Sequence, residues 1–453
     1  MHRAPTRSVE KHPRNNSAVA PAFGRQGPLG QWRASATRVL ILAVLSSLLL
    51  IVAHPAHAAS ETVLYSFTGA NGDGYYPASA LIMDSAGNLY GTTVYGGANG
   101  DGTVFKLSPS GAETVLHSFT GTNGDGNDPY GGLVMDGAGN LYGVTVFGGK
   151  NNAGTVFKIS PRGRERVLYS FGNKKGDGAS PDAALIMDGA GNFYGTTGGG
   201  GLNNCSLGCG TVFEVSPTGR ETVLYRFGNT NNDGFWPDAS LIMDSDGNLY
   251  GTTSKGGANG EGTIFKLSPS GVETVLYSFT GTNGDGANPV AGLIMDSAGN
   301  FYGTTSNGGD SVCDDGCGTV FKLSPSGAET ILYSFTGRDR FGASPQGALI
   351  MDSAGNLYGT TLNGGSNYCS EIGCGTVFRL SSNGGAEAII HRFTGYTNGD
   401  GSNPSGALIM DNAGHLYGTT QGGGATGYGS VFKITLHRHA PKTESQLRVR
   451  PLL

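Results

Sequence analysis

Charge is scarce in this sequence. Asp, Glu, Lys and Arg make up only 14% of 453 residues, the formal net charge is −5, and no run of Lys or Arg interrupts the body of the chain. A nucleic-acid partner is therefore not expected, because phosphate backbones are held by clustered cationic side chains. Long apolar runs are lacking too. Residues 39 to 53 form the one extended apolar stretch, about 15 residues against the roughly 20 needed to span a bilayer. No Gly-x-Ser-x-Gly elbow, no His-x-x-x-His pair and no phosphate loop stands out. Nucleophilic or metal-assisted chemistry cannot be assembled from local motifs, and neither a cofactor nor a metal is expected. No window carries 3.6-residue apolar periodicity, which excludes a helical array.

What is abundant is glycine, at 80 residues. So much glycine with so little charge could mark a flexible chain, but apolar residues recur at fixed offsets, as packed repeats require. The string Leu81-Ile-Met-Asp-Ser-Ala-Gly-Asn-Leu-Tyr90-Gly-Thr-Thr recurs with its Asp at 84, 136, 188, 244, 296, 352 and 411, seven copies spaced by 52 to 59 residues. Each copy holds four short β-type runs, first at 80 to 83, 89 to 93, 103 to 107 and 113 to 119, separated by Gly, Asn, Pro and Ser. Four strands in roughly 50 residues is the size of a propeller blade. The expected fold is all-β, a seven-bladed β-propeller of four-stranded antiparallel blades. Tyr90, Tyr142, Tyr194, Tyr250, Tyr302, Tyr358 and Tyr417 on the second strand, with Phe105, Phe157, Phe213, Phe265, Phe321, Phe378 and Phe432 on the third, are read as core.

Chain order adds a closure. The fourth-strand motif Glu61-Thr-Val-Leu-Tyr-Ser-Phe67 precedes the first Leu-Ile-Met-Asp, while the chain stops after a third strand at 429 to 435. The N-terminal strand should therefore complete the last blade and remove the open edges of the array. Residues 1–58 are read as leader and signal peptide: Arg33 and Arg38 precede the apolar run, and Ala56-His57-Ala58 fits a small-x-small cleavage site. Residues 59–438 form the propeller, expected to be a monomer secreted, periplasmic or at the cell surface, and 439–453 a short polar tail.

The two ends of the ring differ in content. The lower turns repeat Asp-x-x-Gly-Asn and Ser-Pro-x-Gly, so the recurring Asp84 and its equivalents are read as caps of their own turns rather than catalytic acids. The upper loops between blades repeat Asn71-Gly-Asp-Gly74, Asn123-Gly-Asp-Gly126, Lys175-Gly-Asp-Gly178, Asn232-Asp-Gly234, Asn283-Gly-Asp-Gly286 and Asn398-Gly-Asp-Gly401, with 338 to 342 departing from the pattern. Their oxygens resemble a fragment of a calcium loop, but the other ligand positions and the closing Glu are missing, so they are read as Gly-rich turns. Beside the Pro that opens each inner strand the copies diverge, and Tyr76, Asp128, Tyr130, Asp182, Trp236 and Asp238 are the candidate ligand-binding residues.

Six cysteines fall in three close pairs, Cys205/Cys209, Cys313/Cys317 and Cys369/Cys374, each in a lengthened second-to-third-strand loop. In an exported chain they read as three local disulfides that stiffen loops, since no histidine lies near to complete a zinc site. Inside the repeats only His117, His391 and His415 occur, replacing consensus Tyr, Tyr and Asn.

The string quoted above, followed by Gly-Gly and then Gly-Thr-Val-Phe-Lys-Leu-Ser-Pro, resembles the GloVer tandem repeat of bacterial secreted proteins called choice-of-anchor proteins, over about 375 residues. Less closely, the apolar strand, Asp-x-x-Gly-Asn and aromatic second strand are similar to NHL propeller repeats. The resemblance implies a propeller with a variable C-terminal surface anchor, whereas residues 440 to 453 are short and polar. It implies no activity and no functional residue. Three functions fit the sequence: a binding scaffold presenting its upper loops to a glycan or protein; a hydrolase or lyase acting on a sugar or lactone at the tunnel mouth, with Asp128, Asp182 and Asp238 as acids; and a structural envelope protein.

Overall fold

A computed structural model describes residues 59–436 apart from 231, 310–312, 314, 338–341, 367–368, 370–371 and 386. The export signal and polar tail expected from the sequence lie outside these residues, as does most of the divergent loop at 338 to 342. Among the described residues no helix is long and apolar enough to cross a membrane.

The chain forms seven four-stranded antiparallel sheets arranged as a propeller. In the first blade the strands run, from the axis outward, Ile82–Met83, Leu89–Thr93, Thr103–Leu107 and Glu113–Ser118. The innermost strand is shorter than the sequence implies, two residues rather than four. The last blade takes its outer strand from the N-terminus: Ala59–Ser66 pairs antiparallel with Ser430–Leu436, from Ala59 opposite Leu436 to Ser66 opposite Ser430.

Neighbouring blades are joined by aromatic rings. Phe at the end of each outer strand meets Phe of the next blade's third strand edge to face, as in Phe67 with Phe105, Phe227 with Phe265 and Phe393 with Phe432, all with centroids 5.1 Å apart. Each third-strand ring reaches inward through a gap above the second-strand glycine. A Cβ on Gly251 would lie 2.8 Å from Phe265 and 2.9 Å from Leu241, so only glycine leaves room for both side chains. Second-strand threonines add polar ties between blades: Thr196 donates to the Ala239 carbonyl at 3.0 Å and Thr419 to that of Ser79 at 2.9 Å.

The lower turns are capped as the sequence implies. Asp84 Oδ1 accepts the amides of Ala86 and Asn88, both at 2.9 Å, and Oδ2 accepts the Asn88 side chain at 2.7 Å and the Tyr90 hydroxyl at 3.0 Å. These bonds hold the Asp84 carboxyl below its ordinary value, and the same pattern recurs through Asp411. The recurring Asp is thus a turn component, and its hydroxyl contact explains the tyrosine that follows it.

The acid of the upper loops has a second structural task. Asp73 Oδ2 accepts the Thr68 amide at 2.7 Å and the Tyr65 hydroxyl at 3.1 Å, tying the outer strand of one blade to the loop that starts the next. Behind it sits the glutamate that opens the next outer strand. Glu113, Glu273 and Glu329 are pushed up to about 7, first by burial and then by the charge of Asp73, Asp233 and Asp285. A group raised from 4.5 to about 7 on folding contributes stability fully present below the lower value and lost as pH rises through the upper one. The turn aspartates act oppositely, losing their contribution as pH falls below 3.8. Thermal scans should therefore show Tm highest near pH 4 to 5 and falling toward pH 8, and Glu273→Gln should flatten that alkaline fall; a Tm rising steadily from pH 5 to 8 would contradict the seam electrostatics.

Candidate functional site

The upper end of the ring is built by an element that the sequence reading did not resolve. In every blade a two-residue segment before the inner strand pairs with one after the second strand, as Gly74–Tyr75 does with Tyr95–Gly96 and Gly234–Phe235 with Lys255–Gly256. These seven ribbons bring the two kinds of upper loop together. Repeated Gly-Asp-Gly and Gly-Gly pairs carried the signal.

Immediately after each ribbon, before the Pro, stands a non-glycine residue in the left-handed region: Tyr76 at φ 61°, Asp128 at 55°, Ser180 at 54°, Trp236 at 59°, Asn288 at 57°, Ser344 at 52° and Asn403 at 57°. Such a backbone costs about 1 kcal/mol or more for a non-glycine residue and persists only where the surroundings dictate it. Here two backbone bonds do so. The Tyr76 amide donates to the Tyr428 carbonyl of the preceding blade at 3.0 Å, and its carbonyl accepts the Val94 amide at 3.1 Å. Trp236 is held the same way, by the Cys209 carbonyl at 3.0 Å and the Ser254 amide at 2.9 Å. The bend turns the residue after the Pro toward the axis, and that position reads Ala78, Tyr130, Asp182, Asp238, Val290, Gln346 and Ser405.

Tyr130, Asp182 and Asp238 occupy this inner position. The Tyr130 hydroxyl accepts a bond from Gln421 at 3.4 Å, although Gln421 belongs to the last blade and Tyr130 to the second. The reach passes the first blade, where the inner position is Ala78, too small to block it. Gln421 also donates to Ser405 at 2.8 Å, and Ser405 to the Ala78 carbonyl at 3.1 Å. These contacts close one side of the tunnel mouth.

On the other side are two half-buried carboxyls. Asp238 Oδ2 accepts Ser254 at 2.9 Å, and its Oδ1 fills the place a Cβ on Gly198 would take, at 2.7 Å, so that it leans toward the third blade, which carries Asp182. Asp182 is raised well above the usual carboxylate range, by burial and then by the Asp238 charge. Asp238 is also raised by burial, with Ser254 opposing. Burial therefore biases both carboxyls toward the protonated form, and the Asp238 charge adds to this at Asp182. Asp182 Oδ1 is a buried acceptor without a hydrogen-bond partner among the described residues. Tyr130 is pushed up to about 12 by burial and by Tyr76 and Asp182, which places it in the same cluster.

Tyr76 belongs to a tyrosine platform. Tyr75 lies 5.4 Å from both Tyr95 and Tyr428, and Tyr76 5.7 Å from Tyr95, while Tyr95 and Tyr428 are 38% and 48% exposed. The sequence reading found Tyr76 but missed Tyr95 and Tyr428, which sit in second-to-third-strand loops and meet it only through the ribbon pairing. Trp236 lies farther round the ring and is fixed by the disulfide loop: its indole N–H donates to the Gly208 carbonyl at 3.3 Å. Asp128 is not brought to the carboxyl pair. It occupies the left-handed position equivalent to Trp236, with its amide on the Asp101 carbonyl at 3.1 Å, and is raised by burial and by Asp101. The three disulfides form as paired in sequence, with the second cysteine of each, Cys209, Cys317 and Cys374, fully buried. No trio of metal-ligating side chains occurs at the mouth among the described residues.

Fold and closure define a seven-bladed β-propeller with a uniform lower end and a differentiated upper mouth. The chain belongs to the Gloeobacter/Verrucomicrobia repeat family, which matches it over residues 51–206, 125–314, 174–372 and 283–446. No curated protein matches the sequence. Among solved structures it is similar to virginiamycin B lyase from Staphylococcus aureus, with 14% identity, TM-score 0.54, and coverage of 84% of this chain and 99% of that one. It is also similar to the extracellular domain assigned to a one component system from B. thetaiotaomicron, with 13% identity and TM-score 0.49, over 81% of this chain and 39% of that one. At such identities the likeness is one of fold.

Proposed function

We propose that the ring is an exported carbohydrate-binding scaffold whose ligand sits at the upper tunnel mouth. The observation that carries this reading is the buried, unpartnered Asp182 Oδ1, set at the same mouth as Asp238, Tyr130 and the tyrosine platform. Sugar rings present hydroxyls that both donate and accept, and C–H faces that stack on aromatic rings. A carboxyl with an unpartnered buried oxygen matches the first, and exposed Tyr95 and Tyr428 match the second. Export rests on the apolar run at 39 to 53 with Ala56-His57-Ala58, and the three disulfides fit an oxidising compartment.

A glycan array probed with the purified ring tests the reading. Binding should be detected, and Asp182→Ala and Tyr76→Ala should each weaken it about 10-fold or more, the loss expected for a hydrogen bond to a buried carboxyl or for a stacked ring. Undiminished binding by both folded variants would exclude the mouth as the site.

The same carboxyl pair favours a second reading, acid–base catalysis on a sugar or lactone, since coupled carboxyls of unequal environment can serve as acid and base. Incubating the array's ligands with the protein separates the two. Ligand recovered intact supports a binder; turnover abolished by Asp182→Asn or Asp238→Asn supports an enzyme.

A further inference from the structure

The seams between blades are nearly alike, and the seam between the sixth blade and the seventh, the blade that the N-terminal strand completes, is an exception. In the seams opened by Tyr65, Tyr225 and Tyr277, a phenol hydroxyl donates to the loop aspartate, at 3.1 Å to Asp73, 3.0 Å to Asp233 and 3.1 Å to Asp285. A neutral phenol engaged in this way presents no strong donor atom to a cation. In the seam between the sixth and seventh blades the tyrosine is replaced by His391, whose Nε2 lies 3.3 Å from Asp400 Oδ2. Imidazole can instead turn a lone pair to a metal.

Facing these two is Glu61, from the strand Ala59–Ser66 that closes the ring. Its Oε1 is buried without a hydrogen-bond partner among the described residues, as is that of the equivalent Glu113, Glu165, Glu221, Glu273 and Glu329, so what sets this seam apart is the histidine that faces the orphan oxygen. One ligand atom from each of Glu61, His391 and Asp400 lies within 4.8 Å of the other two, the only such trio among the described residues. Zinc bound tetrahedrally at 2.0–2.1 Å holds its ligand atoms about 3.3 Å apart, so closure needs the ligand atoms to draw together by up to about 1.5 Å. Asp400 is fixed by the Thr394 amide and hydroxyl on Oδ2 at 2.8 and 3.1 Å and by the Gly401 amide on Oδ1 at 2.7 Å, while the imidazole packs edge-on against Phe393 with centroids 4.7 Å apart.

A looser copy occurs one seam past the first blade. There His117 replaces the tyrosine, its Nε2 lies 3.7 Å from Asp125 Oδ2, and both His117 Nε2 and Glu165 Oε1 are buried without hydrogen-bond partners. Histidine has thus entered the tyrosine position twice, each time in a seam that holds the equivalent aspartate and glutamate.

We propose that Glu61, His391 and Asp400 form a divalent transition-metal site of the zinc type, a clasp that joins the N-terminal closing strand to the sixth blade. Two carboxylates and a neutral imidazole balance the charge of the ion, and the remaining coordination positions would be filled by water. The ion would be lost with the closing strand and would hold that strand in place.

The test is a count of bound metal on untagged full-length ring. Protein stripped by chelation is titrated with Zn²⁺, desalted and assayed for zinc, as wild type, His391→Tyr, Glu61→Gln and His117→Tyr. His391→Tyr restores the residue found at the equivalent positions Tyr65, Tyr225 and Tyr277, so it keeps the fold, checked by its circular dichroism and its Tm in chelator. It should hold one zinc fewer per chain than wild type, and Glu61→Gln should weaken zinc binding about 10-fold or more. Zinc should also raise the Tm of wild type and of His117→Tyr but not that of His391→Tyr. Equal zinc content in wild type and His391→Tyr overturns the site, and so does a wild type that takes up none.

Discussion

Removal of the strand Ala59–Ser66 is expected to abolish cooperative folding of the ring. That strand is the outermost of the last blade, and its loss bares Ser430–Leu436 as an unpaired edge along seven residues. It also withdraws Leu64 and Tyr65 from the cluster around Phe67, Leu81 and Phe105, which belongs to the first blade as much as to the last. Two to three half-buried apolar side chains account for about 2–4 kcal/mol of lost burial, and the missing backbone ladder adds to it, against the roughly 5–15 kcal/mol that holds a domain folded. The truncated chain should unfold over a broad range in urea and scatter light at concentrations where the intact ring does not. A synthetic peptide of the strand, added in trans, should restore part of the transition by strand addition. A monomeric truncation with an unchanged midpoint would show that the closure is dispensable.

The second large effect is expected at the seam phenylalanines. Phe265→Ala leaves a void between Gly251, Leu241 and Phe227, residues that are buried and cannot collapse without moving two blades. A loss of about 3–5 kcal/mol follows from the lost transfer energy and the cavity. Gly251→Ala disturbs the same spot from the other side, placing a Cβ inside contact distance of the ring and costing about 1–3 kcal/mol. Because both act on one space, the two substitutions should not add: once Phe265→Ala has emptied the space, the methyl introduced by Gly251→Ala has room, and the double variant should be no less stable than Phe265→Ala alone. Chemical denaturation of the four proteins of this cycle measures the coupling, and strict additivity would mean that glycine and ring do not share the cavity.

Much of this protein was legible in its sequence because the relevant physics is local. Asp84 and its equivalents cap turns within four residues of themselves, and Phe105 or Phe265 recurs at a constant offset in an alternating strand. Reading them needs no knowledge of the ring. The split of Glu61-Thr-Val-Leu-Tyr from the other blades also announced the closure, since one strand too many at one end matched one too few at the other.

The mouth was harder to read, and Asp128 shows why. In sequence it looks like a partner of Asp182 and Asp238, but it precedes its proline whereas they follow theirs, and that offset places it on the left-handed bend instead of at the axis. The platform of Tyr76, Tyr95 and Tyr428 was likewise hidden, because Tyr428 arrives from the blade next in the ring but 352 positions along the chain from Tyr76.

What the sequence alone determined is the blade: its strands, its capped turns, its aromatic core and its need for closure, all set by residues a few positions apart. What only the tertiary structure decided is which unlike side chains meet. Tyr130 reaches Gln421 across a sequence separation of 291, and Glu61 reaches His391 through the closing strand. Closing a chain into a ring sets radial neighbours by the angle between blades, and that angle is a property of all the seams together, written in no single repeat.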